Sequence, residues 1–441
     1  MPRFGRRLTS AHPQGLFALE FEYRKPEVEA ALREARTVEA LEAALNAAIG
    51  LVGDLGAPDV YGWKLLCPAL DAEIPAIARR LGLVDLPNAK SNENVCIVAT
   101  QIYARGGHSK VAGDISSLIG ADRTTLVMTD VYRKLNPMGM LGVRAQPSPL
   151  KRRADVLLRG ASLAGKILEL FNILAAIRPT RIFMLTHHFD IVAAVALWPF
   201  RDVVEFLHHA DHVPAIGATV AYSEHVDLTW TCHKACLAAG LPAAYAGMTA
   251  LRADRALRPP PAHAGRLRIA TCGPAAKYKG RATFAWSDFA IAALRRGDVD
   301  MVHVGPADEE LKSAITSGLR EAGLDPQLYD FAGETPDLVQ ALIDQGAGAY
   351  LASYPVSGGK AIIEAQSIGL PTFVPVDSAS PPLLQFDLPG ETWTRVGSPA
   401  ELSAALATMT PTALGAASAA NPPEPIDQFE QYVLGPANPA G

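Results

Sequence analysis

The chain has 441 residues, 49% of them apolar and 19% charged, with 40 Lys and Arg against 45 Asp and Glu for a net charge of −5. At about 150 residues per domain it is too long for one unit, and it is apolar enough to exclude wholesale disorder. The mild negative balance gives no overall attraction to nucleic acid or to an anionic membrane.

The first ten residues carry Arg3, Arg6 and Arg7 but are not followed by the apolar core of a signal peptide. No apolar stretch reaches the roughly 18 residues of a membrane span. Five scattered cysteines (Cys67, Cys96, Cys232, Cys236 and Cys272) suit reduced thiols better than a disulfide framework. A cytoplasmic location is expected.

Residues 1–92 read as an α-helical region. Pro26 opens a segment from Glu27 to Val52 in which Val28, Ala31, Leu32, Ala35 and Val38 share one helical face. A second stretch, Asp71 to Leu81, follows Pro68. Nothing there looks chemical, and packing or contact with a partner is its expected use.

Residues 93–257 change pattern. Val95 to Ala99 is the short apolar run of a buried parallel strand, and a glycine turn at Arg105-Gly106-Gly107-His108 leads into a helix from Ser109 to Ile119. Strands are expected at Thr125–Met128, Arg181–Leu185, Val203–Leu207 and Ala218–Tyr222. Helices are expected at Leu157–Ile177, Ile191–Leu197 and Thr231–Ala239. Such alternation predicts a doubly wound parallel sheet.

Arg258-Pro259-Pro260-Pro261-Ala262-His263-Ala264-Gly265 is a stiff connector and a domain boundary. Residues 266–410 then repeat the alternation, with strands at Leu267–Cys272, Met301–Val304, Ala349–Ala352 and Thr372–Val374. The intervening helices are Ala282–Arg295, Glu309–Ala322, Pro336–Gln345 and Lys360–Ile368. Residues 411–441 form an Ala/Pro-rich tail with a short helix near Gln428–Leu434. The fold class is therefore α/β: two tandem Rossmann-like domains behind a helical N-terminal region, with a cleft between the domains as the default site.

Four segments carry candidate chemistry. Gly106 and Gly107, with His108, sit between a strand and a helix, where glycine permits close backbone approach and free amides face an anion, or where it merely shapes a turn. His187-His188-Phe189-Asp190 and His208-His209-Ala210-Asp211-His212 hold five of the eleven histidines. Each group follows a strand and so reaches the carboxyl edge of the sheet, as acid–base residues, metal ligands or core histidines. Cys232-His233-Lys234-Ala235-Cys236 has helical spacing and no second Cys pair, so it reads as structural. Cys272-Gly273-Pro274-Ala275-Ala276-Lys277-Tyr278-Lys279-Gly280 aims ammonium groups at a diphosphate, or is an ordinary basic loop. The most specific is Tyr350-Leu351-Ala352-Ser353-Tyr354-Pro355-Val356-Ser357-Gly358-Gly359-Lys360, running to Glu364 and the Gly369-Leu370-Pro371 exit. Its loop amides and helix start suit a phosphate, and Glu364 suits ribose hydroxyls.

This last segment resembles the donor-binding strand–loop–helix of nucleotide-sugar glycosyltransferases of GT-B fold, in particular the O-GlcNAc-transferase-like and cytoplasmic adhesin-type N-glycosyltransferase group. Retaining members of the fold place a carboxylate eight residues before the equivalent of Glu364. Val356 stands there, which argues against the retaining class and leaves the stereochemistry open. The resemblance covers roughly residues 94 to 410 and implies that the second domain holds a nucleotide diphosphate sugar, UDP-linked, as co-substrate. The first would hold a protein, glycan or lipid acceptor. It implies donor-binding roles for Lys279, Ser357, Gly358, Gly359, Lys360 and Glu364. Catalytic roles fall to His209 or Asp211 as base, with His108, and Gly106, Gly107 and His188 are on the acceptor side. No metal and no other cofactor is implied.

Three rivals stand beside this reading. One is a nucleotide-sugar 2-epimerase, and another is a metal-dependent hydrolase built on His187, His188, His209 and Asp211. The third is a non-catalytic sugar-nucleotide binding module that works through the helical N-terminus.

Overall fold

The computed structural model describes residues 13–54, 65–86, 94–102, 107–131, 154–210, 213–248, 265–279, 282–377, 393–409 and 425–435. Among these, the N-terminal region is helical: α1 (Pro13–Glu34), α2 (Val38–Asp54), α3 (Pro68–Asp71) and α4 (Ile74–Arg80). Val28, Leu32, Leu41, Leu45, Ile74 and Ile77 meet in one core, as their helical spacing requires. Pro26 lies inside α1 rather than opening it. The chain breaks instead after Glu34, where the Arg80 guanidinium donates to Leu32 O (2.5 Å) and Ala35 O (2.8 Å), satisfying carbonyls at the helix end.

Two sheets follow. The first contains β1 (Val95–Ala99), β2 (Thr124–Met128), β3 (Ala154–Leu157), β4 (Arg181–Leu185), β5 (Val204–His208), β6 (Glu224–Asp227) and β7 (Ala243–Tyr245), in the order β3-β2-β1-β4-β5-β6-β7. Helices α5 (Gly107–Ile119), α6 (Leu163–Ile177), α7 (Ile191–Leu197) and α8 (Trp230–Ala238) intervene along the chain.

The second contains β8 (Leu267–Cys272), β9 (Val299–Val304), β10 (Tyr329–Gly333), β11 (Ala349–Leu351), β12 (Thr372–Pro375) and β13 (Thr394–Val396), in the order β10-β9-β8-β11-β12-β13. Its helices are α9 (Trp286–Leu294), α10 (Glu309–Glu321), α11 (Leu338–Asp344), α12 (Gly359–Gln366) and α13 (Pro399–Ala407), and α14 (Pro425–Leu434) ends the described chain. β1 pairs parallel with β4, and β8 pairs parallel with both β9 and β11. Both orders reverse after the first strand of the series, which is the doubly wound 3-2-1-4-5-6 pattern.

The chain divides into two compact units, residues 1–101, 125–135 and 154–225 in one and 102–124, 136–153 and 226–441 in the other. Helix α5 thus groups with the second sheet. The Pro259–Pro261 connector lies outside the described residues.

Several expected elements differ. Ala218–Tyr222 is a set of turns, not a strand. Gly217 has φ 95°, and the buried Asp71 carboxylate captures Gly217 N (2.7 Å), Thr219 N (2.9 Å) and the Thr219 hydroxyl (2.7 Å), amides that a ladder would need. The strand begins only at Glu224. The helix expected from Leu157 starts at Leu163, capped by the Ser162 hydroxyl, because Ala154–Leu157 pairs with β2. Strands β7, β10 and β13 were not expected: β7 is only three residues long, and β10 and β13 lack a clean apolar run. β10 and β13 are sheet-edge strands with exposed positions.

At the carboxyl ends of β8, β9 and β10, Gly273 (φ 153°), Gly305 (φ 143°) and Gly333 (φ 75°) pack backbone on backbone. Gly305 N donates to Gly333 O at 2.8 Å. A Cβ on Gly305 would stand 2.5 Å from Gly273 O.

Two stability measurements test this packing. Gly305→Ala is expected to destabilise the fold by at least about 2 kcal/mol in denaturant unfolding, since neither neighbour is a side chain that can swing away. Burial pushes the Asp71 carboxyl up to about 6, against the hydrogen bonds from Gly217 and Thr219. The folded state then holds a proton that the unfolded state has lost, so this group's contribution is full at about pH 4 and is lost as the pH rises through about 6. The stability difference between the parent protein and Asp71→Asn should shrink over that window.

Candidate functional site

In a doubly wound sheet the two strands at which the order reverses send their crossovers to opposite faces, leaving a crevice beyond their carboxyl ends. In the second unit those strands are β8 and β11. From β8 the chain passes through Gly273 and Pro274 into a single 3-10 turn, Ala275–Tyr278, that carries Lys277. From β11 it passes through Ser353 to Gly358 and into α12. The loops are tied together: Val356 N donates to Lys277 O (3.3 Å), and the Ser353 hydroxyl donates to Val356 O (2.8 Å).

The Lys277 ammonium lies so close to Gly358 that a Cβ there would be 2.7 Å from it. Beside it, the first-turn amides of α12 have no acceptor within the helix, and the helix dipole adds partial positive charge. One ammonium and several free amides converge where α12 begins, which is a cradle for an anion.

Glu364 lies on the second turn of α12 with a side chain 8% exposed, and its Oε1 accepts from the Lys110 ammonium at 2.5 Å. Two neutral groups, Cys272 and Tyr350, stand near it. Burial pushes the Cys272 thiol up to about 12, with Glu364 adding to the rise, and burial pushes the Tyr350 phenol well above its usual range. Behind the glycine edge, His303 Nε2 donates to Gly273 O at 2.9 Å, and burial lowers this imidazole against that hydrogen bond.

The expected donor residues separate into two groups. Ser357, Gly358, Gly359 and Glu364 frame the crevice. Lys360 reaches Asp114 at 2.5 Å, with a side chain 8% exposed, and Lys279 gives its ammonium to Asp308 (2.8 Å) and to Glu310. Lys277, which the Cys272–Gly280 motif contained but which was not singled out there, is the lysine at the loop. Gly107 opens α5, where its Cβ position is 3.2 Å from Lys360 Cβ, and His108 follows it on the first turn. Gly106 and Asp211 lie outside the described residues.

In the first unit the order reverses between β1 and β4, and polar residues gather past both ends. Asp190 caps α7 by accepting from Ala193 N at 2.9 Å, while its other oxygen accepts from the Thr100 (2.6 Å) and Thr129 (2.5 Å) hydroxyls. Thr100 in turn accepts from His187 N at 2.8 Å. The buried Lys166 ammonium donates to Thr129 O (2.7 Å) and Asp130 O (2.5 Å). Burial drives the Asp190 carboxyl up, and the two hydroxyls, the Ala193 amide and the Lys166 charge oppose it. Burial lowers the His187 imidazole to about 4, so it is neutral at physiological pH.

His188 packs edge-on against Phe189, and His208 is fully buried at the end of β5. His209, half-buried, turns Nδ1 toward Leu207 O at 3.3 Å. Among the described residues, no set of three metal-ligating side chains forms around His187, His188 or His209. Cys232 and Cys236 are buried on α8, where the Cys236 thiol donates to Asp227 at 3.4 Å.

No protein-family model and no curated protein matches the chain. Solved structures do. HepE of Anabaena, solved in complex with UDP-glucose, is 16% identical with a TM-score of 0.53 over 77% of this chain and 97% of that one. A glycosyltransferase from Rickettsia africae is 10% identical with a TM-score of 0.54, over 79% and 100%. The lipopolysaccharide outer core galactosyltransferase WaaB is 12% identical with a TM-score of 0.52, over 77% and 99%. At such identities the likeness speaks to the fold. No helix among the described residues is long and apolar enough to cross a membrane. Two parallel α/β sheets of seven and six strands, each reversing its order after the first strand, match these neighbours over their whole length: the chain has the GT-B fold.

Proposed function

We propose that the protein is a glycosyltransferase that takes a sugar from a uridine diphosphate sugar, bound by residues 266–410, and passes it to an acceptor hydroxyl or amide. The observation that carries this reading is the crevice between β8 and β11. There a lysine, a Ser-Gly-Gly helix start and a buried carboxylate lie in the order that a diphosphate and a ribose need. HepE, of the same fold, binds UDP-glucose, which supports a uridine donor.

In this reading the diphosphate lies against Lys277 and the amides of Ser357, Gly358 and Gly359. These groups meet the negative charge that grows on the leaving diphosphate, and they are already in place before it develops. Lys277 takes the role first expected of Lys279, whose ammonium is held by Asp308 and Glu310. Glu364 accepts hydrogen bonds from the ribose hydroxyls. The acceptor's proton passes to His209 or Asp211, with His108 assisting, and the acceptor is held by residues 93–257, including Gly106, Gly107 and His188. The acceptor is a protein, glycan or lipid group.

Thermal unfolding with added ligand tests the donor half. Uridine diphosphate at about a hundred times its dissociation constant should add about 2.7 kcal/mol of apparent stability, and equimolar inorganic phosphate much less. Glu364→Ala should weaken uridine diphosphate by about 1–3 kcal/mol in a folded protein, the scale of hydroxyl partners left unsatisfied. Gly358→Ala should also fold, because the atom it displaces is the free end of a lysine, and should lose affinity as Lys277 moves. No melting shift with any nucleoside diphosphate would contradict the donor assignment.

A further inference from the structure

Helix α5 packs against α12 within the second unit, and the contact is built from charge. Each helix carries a lysine and, four residues later, an acid: Lys110 and Asp114 on α5, Lys360 and Glu364 on α12. They pair across the interface, Lys110 with Glu364 and Lys360 with Asp114, both at 2.5 Å. The stem of Lys360 runs past Gly107, where any side chain would crowd it. Helix α14 also packs on α5, with Phe429 and Val433 buried.

The two pairs differ in what they leave over. Lys360 and Asp114 are both well buried, at 8% and 16% side-chain exposure, whereas Lys110 is 30% exposed beside a Glu364 that is 8% exposed. Lys110 engages Oε1, and among the described residues Oε2 of Glu364 has no hydrogen-bond partner. The charged and titratable groups facing Glu364 are Lys110 and Asp114 from α5, Cys272 from β8 and Tyr350 from β11, with Lys277 on the turn after β8 beside Cys272 and Lys360 on α12 held by Asp114. Of these, Lys110 is the one that touches the carboxylate. Removing a buried acid's one cation leaves an uncompensated charge, which then protonates or turns toward another donor.

We propose that Lys110 is a positioning residue for the donor: it fixes the Glu364 carboxylate through Oε1, so that Oε2 is presented to a ribose hydroxyl. This inference rests on the donor reading above, and it adds that α5, distant in sequence from the donor loops, completes the nucleotide site.

Calorimetric titration of uridine diphosphate into the full chain tests it, using the parent protein, Lys110→Met, Lys110→Arg, Glu364→Ala and the double variant Lys110→Met/Glu364→Ala. Lys110→Met should weaken binding about tenfold or more, the scale of one hydrogen bond to a charged group. Lys110→Arg should recover most of the affinity, and Lys110→Met should cost nothing further once Glu364 is gone. The double variant removes both charges and so stays foldable if Lys110→Met alone is not. Parent-like binding by Lys110→Met, no recovery in Lys110→Arg, or an equal loss with and without Glu364 overturns the inference. If Glu364→Ala weakens binding while Lys110→Met does not, the donor reading stands and this inference falls. If the parent protein binds no uridine diphosphate, both fall.

Discussion

Parallel pairing is the constraint from which the site follows. Every strand of a parallel ladder points its carboxyl end to the same edge, and each return must cross over a face of the sheet. Where the order reverses, at β8 and β11, the crossovers leave to opposite faces and the edge stays open between them. The loops that begin there cannot bury their backbone amides in the ladder. Gly273, Gly305 and Gly333 keep that edge thin, since side chains at those φ values would be strained and at Gly305 would strike the Gly273 carbonyl.

What fills the opening is polar and closely balanced. Lys277 and the α12 amides present positive potential, and Glu364 places one negative charge a turn further on. Buried charges are costly unless each has a partner, and the α5–α12 interface supplies partners on both sides. The first unit uses its own reversal point differently. Around Asp190 both carboxylate oxygens are occupied by the protein's hydroxyls and an amide, so the cluster there holds β1, β2 and α7 together. Similar topology thus gives an internally satisfied network in one unit and, in the other, a crevice where Lys277 and the amides at the start of α12 converge.

Much of this was legible in the sequence, and the reasons differ by element. Buried parallel strands such as Val95–Ala99 and Leu267–Cys272 are short apolar runs because both faces are covered, so they stand out. The Ser357-Gly358-Gly359 turn and Glu364 stood out because few loops need that composition. Edge strands β10 and β13 did not, since their exposed positions carry Asp330, Thr394 and Arg395. Pro26 suggested a helix start because its missing N–H is harmless there, yet α1 continues through it. The choice between Lys277 and Lys279 depends on where a single 3-10 turn aims two lysines that lie two residues apart, which no spacing rule encodes. Lys110 and Asp114 were visible only as a Lys–Asp pair at i,i+4, the ordinary pattern of a solvated helix face. Their partners lie about 250 residues away, so only the fold identifies them.

The central claim is that the crevice between β8 and β11 holds a nucleoside diphosphate. A crystal structure of the protein soaked with uridine diphosphate addresses it directly. The account predicts the diphosphate against Lys277 and the amides of Ser357 to Gly359, with a ribose hydroxyl on Glu364. A nucleotide seated elsewhere, or a crevice left empty at saturating concentration, would contradict it.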